Sequence, residues 1–175
     1  MNMTQQPEVW LRGPVAGFPP LLMPVAHSLL QVREDLTTLL ETVSPAHVWE
    51  RPGGAASIGF HVRHTGGALD RLLTYARGES LSDAQRAFLL AEGEPGTPPA
   101  TLADIMAATS RTIERALEQL RATDVSMLLE DRRVGRAGLP SNPLGLLFHA
   151  AEHSTRHAGQ AITTARILSG RGGPS

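Results

Sequence analysis

Four stretches of this chain carry apolar residues at the three-and-four spacing of an α-helix, and this pattern constrains the fold more than any other feature. Leu22, Val25, Leu29, Leu36, Leu40 and Val43 form the first stripe. Ile58, Val62, Leu69, Leu72 and Ala76 form the second, and Leu102, Ile105, Met106, Ile113, Leu117 and Leu120 the third. The fourth stretch begins at Pro143 and is apolar on two sides. Leu144, Phe148, Ala151, Ala158 and Ile162 mark one side, and Leu146, Ala150, Ala161, Thr164 and Leu168 the other. A helix apolar on two sides is expected at the centre of its domain.

The boundaries follow from local chemistry. Ser44-Pro45 stops the first helix, because proline disfavours helical backbone at the residue before it. Arg51-Pro52-Gly53-Gly54 reads as a turn, and Ser57 as the N-cap of a second helix running to about Arg77. A short helix over 82–91 precedes the breaker-rich linker 94–99, and Thr101 caps the third long helix. The polar, arginine-rich segment 124–140 reads as loop or extended chain. Ser141 or Asn142 then caps the last helix, with Pro143 in its first turn.

Four amphipathic helices bury their stripes only against one another, so the expected fold is all-α. It is a four-helix bundle with a short extra helix. The long connections at 44–57 and 122–140 allow a crossover rather than a strict up-and-down meander. The bundle is expected to span 20–170, with a flexible, loosely docked arm over 1–19 and a tail over 171–175.

Composition narrows the function. The 175-residue chain has a net charge of −1, and its basic residues are dispersed, which gives no electrostatic footprint for nucleic acid. It contains no cysteine, which rules out disulfides, thiolate metal ligands and a protein thiol nucleophile. No stretch approaches the ~18 apolar residues of a membrane span, and the first residues lack the basic-then-apolar order of a signal peptide. A cytoplasmic protein acting on a small molecule is the expectation.

Three of the seven histidines, His149, His153 and His157, recur at steps of four in the last helical stretch. Residues four apart stand one above the other on one helix face, so two such imidazoles can share one transition-metal ion. His153 and His157 fall in the second apolar stripe and are expected to point into the bundle or into a cavity between helices. A further ligand must come from a facing helix, and the second helix offers His61 and His64, one turn apart. Periodicity places His61 nearer the main stripe and His64 toward Phe60, Ala68 and Tyr75, and spacing does not choose between them. Glu152, Gln160 and Asp70 are candidate acceptors for the second ring N–H of a metal-bound histidine. Glu152 is expected to point away from His153 and His157.

Trp49-Glu-Arg-Pro-Gly-Gly, Ser57-Ile-Gly-Phe-His-Val-Arg-His64 with Asp70, and Leu146-Leu-Phe-His-Ala-Ala-Glu-His153-x-x-x-His157-x-Gly-Gln160 together resemble the DinB/YfiT-like family of metalloenzymes. The resemblance runs from about residue 21 to 170. It implies a four-helix bundle, commonly a homodimer, in which one histidine of the second helix and two of the last hold a divalent metal, nickel or zinc. Carried over, the ligands are His64, His153 and His157. It also implies hydrolase chemistry, or transferase and isomerase chemistry with a low-molecular-weight thiol; a non-catalytic metal- or ligand-binding bundle is the alternative. The Gly66-Gly67 pair is where the sequence departs from an ordinary helix and is expected to loosen it near the site.

The remaining candidates read as structural. His61 and His149 are expected to line the site, His27 to be a satisfied core histidine and His47 a solvated loop residue. Trp10 and Trp49 read as packing anchors, Arg132, Arg133 and Arg136 as an exposed polar loop, and Gly159 as a point of close helix packing.

Overall fold

The computed structural model describes residues 6–170. The first helix is α1 (Met23–Thr42), followed by α2 (Ile58–Ala76), the short α3 (Asp83–Ala91) and α4 (Leu102–Ala122). A small antiparallel hairpin, β1 (Arg132–Val134) and β2 (Leu139–Ser141), precedes α5 (Pro143–Gly170). The expected caps are in place: Ser57 accepts from the Phe60 N–H and Thr101 from the Asp104 N–H. Ser82 and Gln85 close a reciprocal capping box on α3. Of the two candidates for α5, Asn142 does the capping, its Oδ1 accepting from the Gly145 N–H at 2.7 Å.

α2 packs along α5 and α4, and α1 packs along the same two helices, so α1 and α2 occupy opposite corners. Cross-contacts fix the directions. His61 meets His157 and His64 meets His153, which runs α2 and α5 antiparallel. Thr109 donates to the Val62 carbonyl and Gln119 to the Leu73 carbonyl, which runs α2 and α4 parallel. Parallel neighbours need a return passage, and the segment carrying α3 supplies it. The crossover is therefore the α2-to-α4 connection. The core lies between the four long helices, with Leu22, Leu29, Leu36, Ile58, Leu69, Ile113, Leu120, Leu147 and Leu168 among its fully buried side chains.

Three contacts set the position of α2, which carries the upstream histidines. The Trp49 ring lies on Gly59, where a Cβ would sit 3.0 Å from its carbons, and its Nε1 donates to the Ala100 carbonyl at 2.9 Å. Gly66 likewise brings the α4 residue Thr109 against the α2 backbone. At the other end, Arg132 Nε donates to the Ala76 carbonyl, satisfying an otherwise orphan group of the last turn.

Several expectations are corrected. Leu144 and Phe148 are exposed, so α5 buries one broad stripe through Leu146, Leu147, Ala150, Ala151, Ala158 and Ala161 rather than two faces. Trp10 is exposed and bonded only locally, its Nε1 donating to Glu8. Gly159 is exposed and has nothing within 4 Å of a built Cβ, so it mediates no close packing. Arg132 is a half-buried structural residue rather than part of an exposed loop. Ahead of α1, Val9 and Phe18 are buried, and Arg12 pairs with Glu34 at 2.7 Å. The expected tail over 171–175, and the first residues of the arm, lie outside the described residues.

Candidate metal centre

Regular helical geometry explains the site. His153 and His157 stand one turn apart on α5, and His61 and His64 nearly one turn apart on α2, so antiparallel packing sets the pairs against each other. His64 Nε2 lies 2.9 Å from His153 Nε2, and His61 Nδ1 lies 3.0 Å from His157 Nδ1. The ring centroids of His64 and His157, and of His153 and His157, are each 4.5 Å apart. Phe60 stacks on His64 at 5.2 Å and closes the edge of the cluster. The structure thus brings together His64, His153 and His157, with one nitrogen from each all within 4.8 Å of one another. His61 is buried behind them against His157.

The carboxylate that organises this cluster is Glu92, which follows the last residue of α3. It is 4 % exposed, and its Oε1 lies 2.5 Å from His64 Nδ1. Arg71 of α2 donates to both of its oxygens, at 3.1 and 3.3 Å. Burial works to raise the Glu92 pKa, but the hydrogen bonds from His64 and Arg71, with the Arg71 charge, outweigh it and hold the carboxyl below its ordinary value. An ionised Glu92 can only accept, so a proton lies on His64 Nδ1 and Nε2 is the ring nitrogen turned to the cluster.

Gly67 makes this reach possible. A Cβ there would lie 2.7 Å from Glu92 Oε2, 2.6 Å from Phe88 Cε1 and 2.9 Å from Arg71 Nη1. The Gly66-Gly67 pair therefore does not loosen α2, which runs unbroken through it, but clears the space that Glu92 and Thr109 occupy. Glu92 escaped sequence reasoning because it is 28 residues from His64 at the end of a short helix, with no spacing to flag it. The glycine pair was the available signal.

The other predicted acceptors lie elsewhere. Asp70 accepts from Gln85 at 2.6 Å and faces Arg115, and Gln160 is exposed. Glu152 is closer than expected. It bonds His149 Nδ1 at 2.7 Å and Arg156 at 2.6 Å, and with His149 and His153 forms a second group of potential ligands at the exposed rim. His27 is half-buried and bonded to the Gly13 carbonyl at 3.1 Å, and His47 is also partly buried.

The electrostatics favour neutral imidazoles. Burial pushes His157 down to about 3, helped by His64, His153 and His61. Burial, then His64 and His149, lowers His153, and burial followed by His64 lowers His61. Neutral imidazole is the form that donates a lone pair to a metal.

Residues 28–161, well over half of the chain, match the family model of the DinB superfamily. The chain belongs to the DinB superfamily. No curated protein matches it. In this DinB bundle the donor set fits a divalent transition ion on two counts. First, ligand nitrogens about 2.0–2.1 Å from one ion are separated by at most about 4.2 Å, and the three nitrogens here, within 4.8 Å of one another, lie close to that spacing. Second, His153 Nδ1 is buried without a hydrogen-bond partner, so bonding within the protein leaves this ring only partly satisfied. No described helix is long and apolar enough to cross a membrane.

Proposed function

We propose that this DinB-superfamily chain is a metal-dependent enzyme in which His64, His153 and His157 hold a divalent ion, nickel or zinc. The observation that carries the reading is the convergence of three partly buried imidazoles from two helices, with an ionised carboxylate bonded to one of them. When bound, such an ion would act as a Lewis acid toward a water or the sulfur of a small thiol and lower its pKa.

The protein's own groups divide the remaining work. Glu92 keeps the proton on His64 Nδ1, and Arg71 keeps Glu92 ionised. His61 bonds His157 Nδ1, which fixes the orientation of that ring. At the rim, Arg156 holds Glu152 below its ordinary pKa, and the His149–Glu152 pair is half exposed. Glu152 so held stays ionised at the rim, beside His149 and His153. With no cysteine in the chain, a thiol nucleophile would have to come from a small-molecule cofactor. Hydrolysis and thiol-dependent transfer or isomerisation are the reaction classes this site suits.

One observation favours a second, non-catalytic reading. The cavity of about 510 Å³ next to α2 has no histidine in its lining, so the ion would not face it. Elemental analysis of tag-free protein tests the site, and turnover assays with small thiols and electrophiles test catalysis. We expect a single nickel or zinc ion per chain, lost in His64→Ala, His153→Ala and His157→Ala. Full metal content in all three variants would refute the site. Metal bound without any metal-dependent turnover would favour the second reading.

A further inference from the structure

α3 is seated unlike the long helices. None of its residues is buried. Its apolar positions Ala84, Phe88 and Ala91 border the cavity of about 510 Å³ that lies between α2, α3 and α4. Polar ties hold its two ends instead. Gln85 donates to Asp70 and to Thr74, at 2.6 and 2.8 Å, and Glu92 is bound by His64 and Arg71. A helix strapped at both ends, with its apolar side over open space, is a cover rather than a core element. Protein interiors are normally close-packed, and the volume falls in the range of about 300–1,000 Å³ typical of small-molecule sites.

The charges around the cavity are unevenly compensated. Arg71 is neutralised by Glu92. Asp70 faces Arg115 at 3.7 Å and accepts from Gln85. Asp104 accepts from Thr101 Oγ1 at 2.6 Å and sits in the first turn of α4, where the helix dipole favours an anion. Arg63 makes no ion pair within 4 Å among the described residues: its Nη1 donates to the Glu94 carbonyl at 2.5 Å, its guanidinium lies 4.7 Å over the Trp49 ring, and it feels only at longer range the charge of Glu92, which Arg71 already holds. A half-buried guanidinium with two such contacts keeps donors and charge for a planar anion.

We propose that the cavity beneath α3 binds a small apolar carboxylate, its hydrocarbon body against Phe88, Ile105 and Ala108 and its carboxylate on Arg63. This goes beyond the metal-centre reading and does not depend on it, because none of the metal-site histidines lines the cavity.

Calorimetric titration of the full chain with octanoate and with octylammonium, before and after metal chelation, tests the proposal. Ala108→Phe fills the cavity from an exposed position without entering the core, and Arg63→Gln removes the cation; thermal melts establish that each variant is folded. The expected result is saturable octanoate binding that survives chelation and is weakened about tenfold or more in both variants. Octylammonium should bind at least about tenfold more weakly than octanoate. Absence of saturable octanoate binding, equal binding of the two probes, binding unchanged in either folded variant, or binding abolished by chelation would each overturn it. The last result would assign the carboxylate to the metal centre instead.

Discussion

The two sides of α2 are built on opposite principles. Toward α5 it presents His61 and His64 to a matching pair of imidazoles, each of the two making one ring-to-ring contact across the helix interface. Toward α3 and α4 it presents Gly66 and Gly67, beside a mostly apolar cavity. Gly67 and Glu92 join the two sides: the missing side chain of one makes room for the carboxylate of the other, which reaches across to His64. The comparison teaches that the polar site is held by a connection element rather than by the bundle alone. Its weak point should therefore lie in α3, outside the histidine helices.

The largest effect is expected from Glu92→Ala. This change leaves the nearly buried Arg71 guanidinium unpaired and releases His64, so we expect a loss of about 3–5 kcal/mol in chemical denaturation. Metal affinity should fall about 10–100-fold. A stability change near zero would mean that Arg71 and His64 do not rely on α3, and the comparison would fail.

Glycine substitutions give a sharper contrast. In Gly67→Ala the new methyl must displace Phe88, Glu92 and Arg71, an overpacking cost of about 1–3 kcal/mol that exceeds the helix-propensity gain of up to about 1 kcal/mol. Metal affinity should fall with it, because the displaced Glu92 carboxylate is the one that holds His64. Gly159→Ala on α5 meets nothing within 4 Å. It should stabilise the protein by about 0.5–1 kcal/mol and leave metal affinity unchanged. Equal outcomes for the two, read by denaturation and metal titration, would remove the special role of Gly67.

How much of this was legible in the chain follows from the range of each interaction. The helices and their caps were readable because Ser57, Thr101 and the apolar stripes act within a few residues. The His153/His157 spacing was readable for the same reason. Phe148 and Leu144 fit a helical stripe as well as Leu147 does, but burial depends on where α1 and α2 stand, which periodicity does not encode. The hairpin strands are three residues each, too short for an alternation signal. Glu92 depends on a tertiary contact from a short connecting helix, and only the glycine pair opposite it marked the place. The choice of His64 over His61 came from the family resemblance, since both stand on the inner side of α2 and both contact an α5 imidazole.

The smallest and most gradual effect concerns pH. His61, His153 and His157 are held below the ordinary imidazole value of 6.5, chiefly by burial, with His157 at about 3. Between these values the unfolded chain binds more protons than the folded one, so stability declines as pH falls through that window. Glu92, also lowered, adds to the loss as the pH drops below 4.5. Thermal melts of metal-free protein from about pH 7 to about pH 4 should show a steady decrease in Tm. His157→Phe, if folded, should flatten that slope.

The most direct test of the central claim is an anomalous difference map from crystals of the nickel-loaded protein. The account predicts one strong peak about 2.0–2.1 Å from nitrogens of His64, His153 and His157, with Glu92 still on His64 Nδ1. A peak at the rim group of His149, Glu152 and His153, or none near α2, would contradict it.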